Sequence, residues 1–264
     1  MGKFVNYSWR LLATGFCFAF FSAGGFLMAV VLFPLVSLWP GSTEQKNRRI
    51  QKLVHHSFRM FVTIIEVLGI GRIKVEGKEW LKAAPGRLLL ASHPTLLDVV
   101  VLISLLPLTD CIVKQALWHN FFLYPVVKGA GYINNSQSPA ELLTLCDTRL
   151  GSGRPLLLFP EGTRSISGKP LHFQRGAAQI ALRSSRDILP IIIQCNPPTL
   201  QKHQKWYQIP PQPWCITVRV LPLKPLQTFN IRQDSPLPVQ VRHLTQGLQH
   251  FFQEEINRYE HAGY

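Results

Sequence analysis

The chain has 264 residues, 47% of them hydrophobic, which is enough for one sizeable core and marginal for two. Lys and Arg total 28 against 14 Asp and Glu, a formal net charge of +14. That excess favours an anionic partner: a lipid surface, nucleic acid, a phosphorylated substrate or an acidic carrier protein. Cys17, Cys111, Cys146, Cys195 and Cys215 are widely spaced with no CxxC pair, so they read as buried free thiols in a reducing compartment and suggest no metal site.

From Leu11 to Thr43 there is no Asp, Glu, Lys, Arg or His. A bilayer-spanning helix needs about 20 apolar residues, and this run is longer, though interrupted by Gly24-Gly25 and Pro34. Two readings fit residues 1–42 as a membrane anchor: one tilted spanning helix near 10–33, or a re-entrant hairpin of two helices hinged near Gly24-Gly25. A cleaved signal peptide is disfavoured, since no clear small-x-small site precedes the charged stretch. Basic residues lie on both flanks: Lys3 and Arg10, then Lys46, Arg48, Arg49 and Lys52. Positive charge on both sides mildly favours the hairpin. The expectation is a cytoplasmic (inner) membrane protein with its larger domain on the cytoplasmic face. Ser42 and Gln45 have capping-box spacing, opening a helix that runs to about Leu68 and stops at Gly69. Residues 43–70 thus read as a linker helix, interfacial or core-packing, that joins membrane to domain.

From residue 71 to 264 the pattern becomes strand, loop, helix, repeated. "RIKVEG" (72–77) alternates like a strand, and "RLLLA" (87–91) is a continuous apolar run, as in a strand buried on both faces. "LLDVVVLISLL" (96–106) is a helix stopped by Pro107. "CIVK" (111–114) is a strand followed by a helical stretch to about Lys128. Ser138-Pro139-Ala140-Glu141 opens a helix to Leu150, with proline at its first position. Then come strand 155–159, a helix near 174–184, strands 188–194 and 215–221, and an amphipathic helix near 238–258. The expected fold is α/β, with a mixed, largely parallel central sheet flanked by helices. Segment 196–214, "NPPTLQKHQKWYQIPPQPW", reads equally as an ordered loop or as one that dips aromatics into the bilayer interface.

In parallel sheets, function collects at the carboxyl ends of strands. After "RLLLA" comes Ser92-His93-Pro94-Thr95-Leu96-Leu97-Asp98. A neutral imidazole takes a proton from a hydroxyl, and a carboxylate five residues on holds one ring nitrogen protonated, leaving the other as base. After "PLLLF" comes Pro160-Glu161-Gly162-Thr163-Arg164, completing "FPEGTR". Glu161 and Arg164 read either as an acceptor-binding pair or as a structural ion pair.

Together these motifs resemble the glycerolipid acyltransferase family, best known for lysophosphatidate (1-acyl-glycerol-3-phosphate) acyltransferases. The resemblance covers roughly residues 72–225. "FQRGAA" (173–178) is similar to the family's basic-Gly segment, with Arg175 at its basic position, and Pro190 stands where a proline-containing block is expected. The apolar N-terminus looks like the two-helix anchor of some members. The resemblance implies transfer of a fatty acyl group from acyl-CoA or an acyl carrier protein to a lysolipid hydroxyl. His93 is then the general base and Asp98 its orienting partner, with amides near Gly162 as oxyanion donors. Glu161, Gly162, Thr163 and Arg164 then shape the acceptor site, and Lys114 and Arg175 are candidate phosphate partners. No cofactor and no nucleic acid are implied. The partners are the bilayer, the lysolipid and the thioester donor.

The match fails in one block. Where the family usually has Asp-Arg, this chain has Asn134-Asn135 in "GAGYINNS" (129–136), and Ser92 replaces the commoner asparagine before the histidine. An asparagine hydrogen-bonds a head group but brings no charge. The acceptor is therefore either the phosphate monoester or another lipid hydroxyl, and the chain also has some resemblance to acyltransferases encoded with bacterial aryl-polyene pathways.

Overall fold

The computed structural model describes residues 2–119, 123–166, 168–232 and 234–261. The apolar run is one rod: α1 (Gly2–Leu27) continues through a π-helical turn (Met28–Leu32) into α2 (Phe33–Leu38). Pro34 has no amide to give the α-helical ladder, and the ladder widens to π spacing just before it, Phe33 N–H donating to Met28 O. The hinge expected at Gly24-Gly25 does not form. Both glycines are helical, and the chain reverses instead at residues 39–42.

The hairpin that results pairs α1–α2 with α3 (Thr43–Val67). Ser42 and Gln45 exchange both capping-box hydrogen bonds at its start. The two arms run antiparallel. Lys46 Nζ donates to Ser37 O at 2.6 Å, Ser57 meets Met28, Phe21 packs on Phe58 and Phe61, and Trp9 Nε1 donates to Leu68 O at 3.0 Å.

Among the described residues seven strands follow in the order β1-β7-β6-β2-β5-β3-β4: β1 (Gly71–Glu76), β2 (Leu88–Ala91), β3 (Asp110–Val113), β4 (Ile133–Asn134), β5 (Leu156–Leu158), β6 (Ile188–Asn196) and β7 (Trp214–Val220). All neighbouring pairs are parallel except β6–β7, giving the mixed, largely parallel sheet that the apolar runs imply. Alternate residues serve opposite faces. Leu89, Leu157, Leu189 and Ile191 pack in one cluster with Ala13 and Cys17 of α1, Phe33 of α2 and Val54 and Phe61 of α3. Leu88, Leu90, Leu156 and Ile188 pack on the other side with α7 (Pro139–Gly151), α8 (Gly176–Ser184) and α9 (Leu237–His261). Burial on both faces is why these strands read as unbroken apolar runs.

The helix expected between the third strand and Lys128 is broken. Gln115–Trp118 and Tyr124–Gly129 form α5 and α6, and residues 120–122 lie outside the described residues. α4 (Asp98–Leu105) begins at the motif aspartate. The cysteines are free, as expected, but Cys195 and Cys215 are only half-buried.

Candidate active site

Strands β2, β5, β3 and β4 are consecutive and parallel, so their carboxyl ends share one edge. His93 follows β2, Glu161 to Arg164 follow β5, Lys114 follows β3, and Asn134-Asn135 close β4. At about 4.8 Å per strand, β4 lies about 14 Å from β2 along that edge.

The His93 pair is built for one tautomer. His93 Nδ1 lies 2.8 Å from Asp98 Oδ2. Asp98 is fully buried and also accepts from Thr95 N–H at 2.7 Å and, on Oδ1, from the Thr95 hydroxyl at 2.7 Å. The Thr95 oxygen in turn accepts from Leu97 N–H. Thr95 therefore fixes both oxygens of the carboxylate. Burial pushes the Asp98 carboxyl above its ordinary range, with the bonds from His93 and Thr95 pulling against it. A carboxylate only accepts, so Nδ1 carries the proton and Nε2 is left as base. The ring stacks on Phe159 at 4.3 Å between centroids, with 17% of the side chain exposed.

Ser92, in place of asparagine, bonds both ways across β6: its hydroxyl donates to Ile193 O and accepts from Ile193 N–H. That pins the turn from which His93 projects.

Glu161 and Arg164 do not pair with each other among the described residues. Glu161, 6% exposed, accepts from the backbone N–H of His93 at 3.0 Å and so ties the β5 loop to the β2 loop. Desolvation raises its carboxyl above the usual range, opposed by that amide and by Ser165. Arg164 Nη1 donates to Leu200 O at 2.8 Å and Gln201 O at 3.1 Å. Gly162 adopts φ +65, a left-handed turn that glycine makes without strain. Its amide is spent on Phe159 O, which removes it as an oxyanion donor. The amides of Thr163 and Arg164 have no acceptor among the described residues.

The other expected residues sit farther out. Lys114 and Arg175 are exposed. Asn134 Oδ1 accepts from Ser136 N–H and Asn135 Oδ1 from Gln115 N–H at the start of α5, so one carbonyl end is committed to its own loop and the other ties that loop to the β3–α5 connection. A cavity of about 730 Å³ abuts the motif loops through Ser92, Pro94, Thr95 and Ser165, with Lys169 and Arg219 also in its wall. His93 is not in that wall. Among the described residues no three His, Cys, Asp or Glu side chains gather as a metal-ligand set.

Sequence reasoning missed Arg10. Read as a flanking charge, it is 1% exposed and bonds Pro210 O and Pro211 O. A single charge beside an apolar run carries no sign of such a contact.

The fold and edge geometry define an open-sheet α/β protein with a histidine–aspartate pair and an FPEGTR loop at one carboxyl edge. Residues 72–194 match the family model described as Acyltransferase. A 1-acyl-sn-glycerol-3-phosphate acyltransferase of Helicobacter pylori is 33% identical over 113 residues, 40% of this chain and 48% of that protein. The alpha form of Mus musculus is 24% identical over 237 residues, 86% of this chain and 78% of that protein. The crystal structure of the 1-acyl-sn-glycerophosphate (LPA) acyltransferase PlsC from Thermotoga maritima aligns with a TM-score of 0.67 at 17% identity, over 96% of this chain and 97% of that one, which shows the fold. The chain spans about half the length or less of the first curated relatives it matches. Through its motifs and through residues 72–194 the chain is similar to the glycerolipid acyltransferases.

Proposed function

We propose that the protein is a membrane-bound O-acyltransferase that moves a fatty acyl group from acyl-CoA or acyl carrier protein to the hydroxyl of a lysolipid such as 1-acyl-glycerol-3-phosphate. The observation that carries this reading is the 2.8 Å bond between His93 Nδ1 and buried Asp98, which leaves Nε2 basic beside the FPEGTR loop. The acceptor hydroxyl gives its proton to Nε2 as its oxygen attacks the thioester carbonyl. The tetrahedral intermediate collapses to the new ester, and the departing thiolate takes the proton back from His93. Asp98 stabilises the imidazolium between the two steps. The amides of Thr163 and Arg164 are the candidate donors to the developing oxyanion. Arg164, Lys114 and Arg175 are the candidate head-group cations.

The commitment of Asn134 and Asn135 to backbone amides favours a second acceptor reading. With no charge at the β4 end, a different lysolipid or a specialised lipid hydroxyl fits as well as a phosphate monoester. The exposed apolar side chains along the rod from α1 through the π-helical turn to α2, among them Leu12, Phe16, Leu27, Val30 and Leu35, support attachment to the bilayer. The test is labelled acyl transfer in detergent with both donor types, offering lysophosphatidate, other lysophospholipids and a non-phosphate hydroxy lipid. Wild type is expected to turn over at least one pair, and His93→Ala none while it stays folded and membrane-attached. Full activity in His93→Ala removes the mechanism. Binding of anionic lipid without turnover of any pair favours a non-catalytic lipid-binding protein.

A further inference from the structure

Segment 196–214 is held at both ends by arginines from opposite parts of the chain. At one end, Leu200 O accepts from Arg164 Nη1 of the FPEGTR loop at 2.8 Å and from Leu96 N–H of the His93 loop at 3.1 Å. One carbonyl is thus shared by both motifs. At the other end, Arg10 of α1 donates Nη1 to Pro210 O at 2.9 Å and Nη2 to Pro211 O at 2.6 Å, while its Nε donates to Asn6 Oδ1 at 3.0 Å. Trp206, between the two clamps, packs on Phe18 and against Gly15, where a Cβ would come within 3.3 Å of its ring.

The stretch between the clamps has little slack. Gln204 Oε1 accepts from Gln201 N–H, Gln204 Nε2 donates to Gln208 O, and Gln208 Oε1 accepts from Lys205 N–H. A shift at Pro210–Pro211 is therefore passed on to Leu200. Burying a guanidinium against neutral acceptors alone is costly. An arginine that only flanked a membrane helix would keep its head in water, and Arg10 does not.

We propose that Arg10 is a positioning residue of the transfer reaction: through segment 196–214 it keeps Leu200 seated between the two motif loops, and so holds Arg164 in place for the acceptor head group. This rests on the acyl-transfer reading above. The fork of the guanidinium spans two successive carbonyls, which an ammonium does not reproduce.

The experiment compares wild type with Arg10→Leu, Arg10→Lys and Gly15→Leu, the last displacing Trp206 from the helix side without touching Arg10. Arg10→Leu keeps the helix apolar, so membrane attachment is retained. Two readouts are taken: the rate of tryptic cleavage after Lys202 and Lys205, mapped by mass spectrometry, and steady-state transfer on the acceptor that wild type uses. The expected result is faster cleavage in Arg10→Leu and Gly15→Leu, with an intermediate rate in Arg10→Lys. Transfer is expected to lose about 10- to 100-fold in kcat/KM, largely through a raised KM for the acceptor. A purely structural role for Arg10 lowers the active fraction and therefore kcat alone, leaving KM unmoved, and that result overturns the proposal. So does unchanged kcat/KM, with or without faster cleavage. A wild type inactive on every donor and acceptor instead removes the acyl-transfer reading, and the proposal with it.

Discussion

At the scale of single residues, Glu161 shows how local cost and function separate. Its carboxylate is buried beneath the loop that carries His93, and the bond it accepts from the His93 amide fixes the backbone from which the imidazole projects. Desolvation raises its pKa in the folded chain. The fold therefore holds that proton more tightly than the unfolded chain does. Stability from this group is fully present below its unfolded pKa and is lost as pH rises through the higher folded value. Above that folded value the ionised carboxylate is held less favourably than its protonated form. Glu161→Gln is expected to unfold at the same or a higher temperature than wild type at pH 7, and the gap is expected to close as pH falls through the raised folded pKa. Its transfer rate is expected to fall, because a neutral amide oxygen accepts more weakly than a carboxylate. Thermal unfolding at several pH values, paired with the transfer assay, checks both halves. A variant less stable than wild type at pH 7 shows that the His93 amide bond outweighs the desolvation.

At the scale of elements, what could be read in the sequence was what is local. The capping boxes at Ser42 and Ser138 involve residues three apart, and both helices begin where that spacing places them. Ser42→Ala is expected to cost about 1 kcal/mol and to speed hydrogen exchange in the first turn of α3, both of which calorimetry and exchange mass spectrometry measure. Unchanged exchange there assigns the helix start to the Lys46 and Arg49 contacts with Ser37 O and Pro40 O instead of to the cap. The buried strands were legible because helices cover both sheet faces. β4 was not, since Ile133–Asn134 is too short to show a period. The Gly24-Gly25 hinge failed for a related reason. A Cβ at either glycine would meet nothing within 4 Å, so no neighbour forces a bend there, and the chain turns at residues 39–42 instead. The same rule divides the site. His93 and Asp98 are five residues apart and share one turn of chain, so their pairing was visible. The distant partners of Glu161, Arg164 and Arg10 are backbone groups 68, 36 and 200 residues away, and backbone groups leave no mark on a residue pattern.

At the scale of the whole molecule, the open question of the sequence was whether the apolar run crosses a bilayer. The rod Phe4–Leu38 has 35 residues, about 52 Å at 1.5 Å per residue, well beyond a hydrocarbon core of about 30 Å. It is also held along its length. Trp9 bonds Leu68, Arg10 bonds Pro210 and Pro211, Phe21 packs on Phe61, Phe33 is buried with Ile50, and Ser37 bonds Lys46. A helix docked at both ends cannot carry one end across a membrane while the domain stays on one side. The geometry fits a rod lying in the interface, its apolar face to the lipid, with Trp206 and Tyr207 exposed nearby. Single cysteines at Phe4 and Glu44, both exposed, test this in sealed vesicles. An impermeant maleimide added outside, with labelling read at each site by mass spectrometry, is expected to reach both positions to the same extent from the side that bears the domain. Labelling of Glu44→Cys but not Phe4→Cys until the vesicles are opened means that the rod spans. In that case the contacts of Arg10 with segment 196–214 do not form in the bilayer, and its role as a positioning residue falls with them.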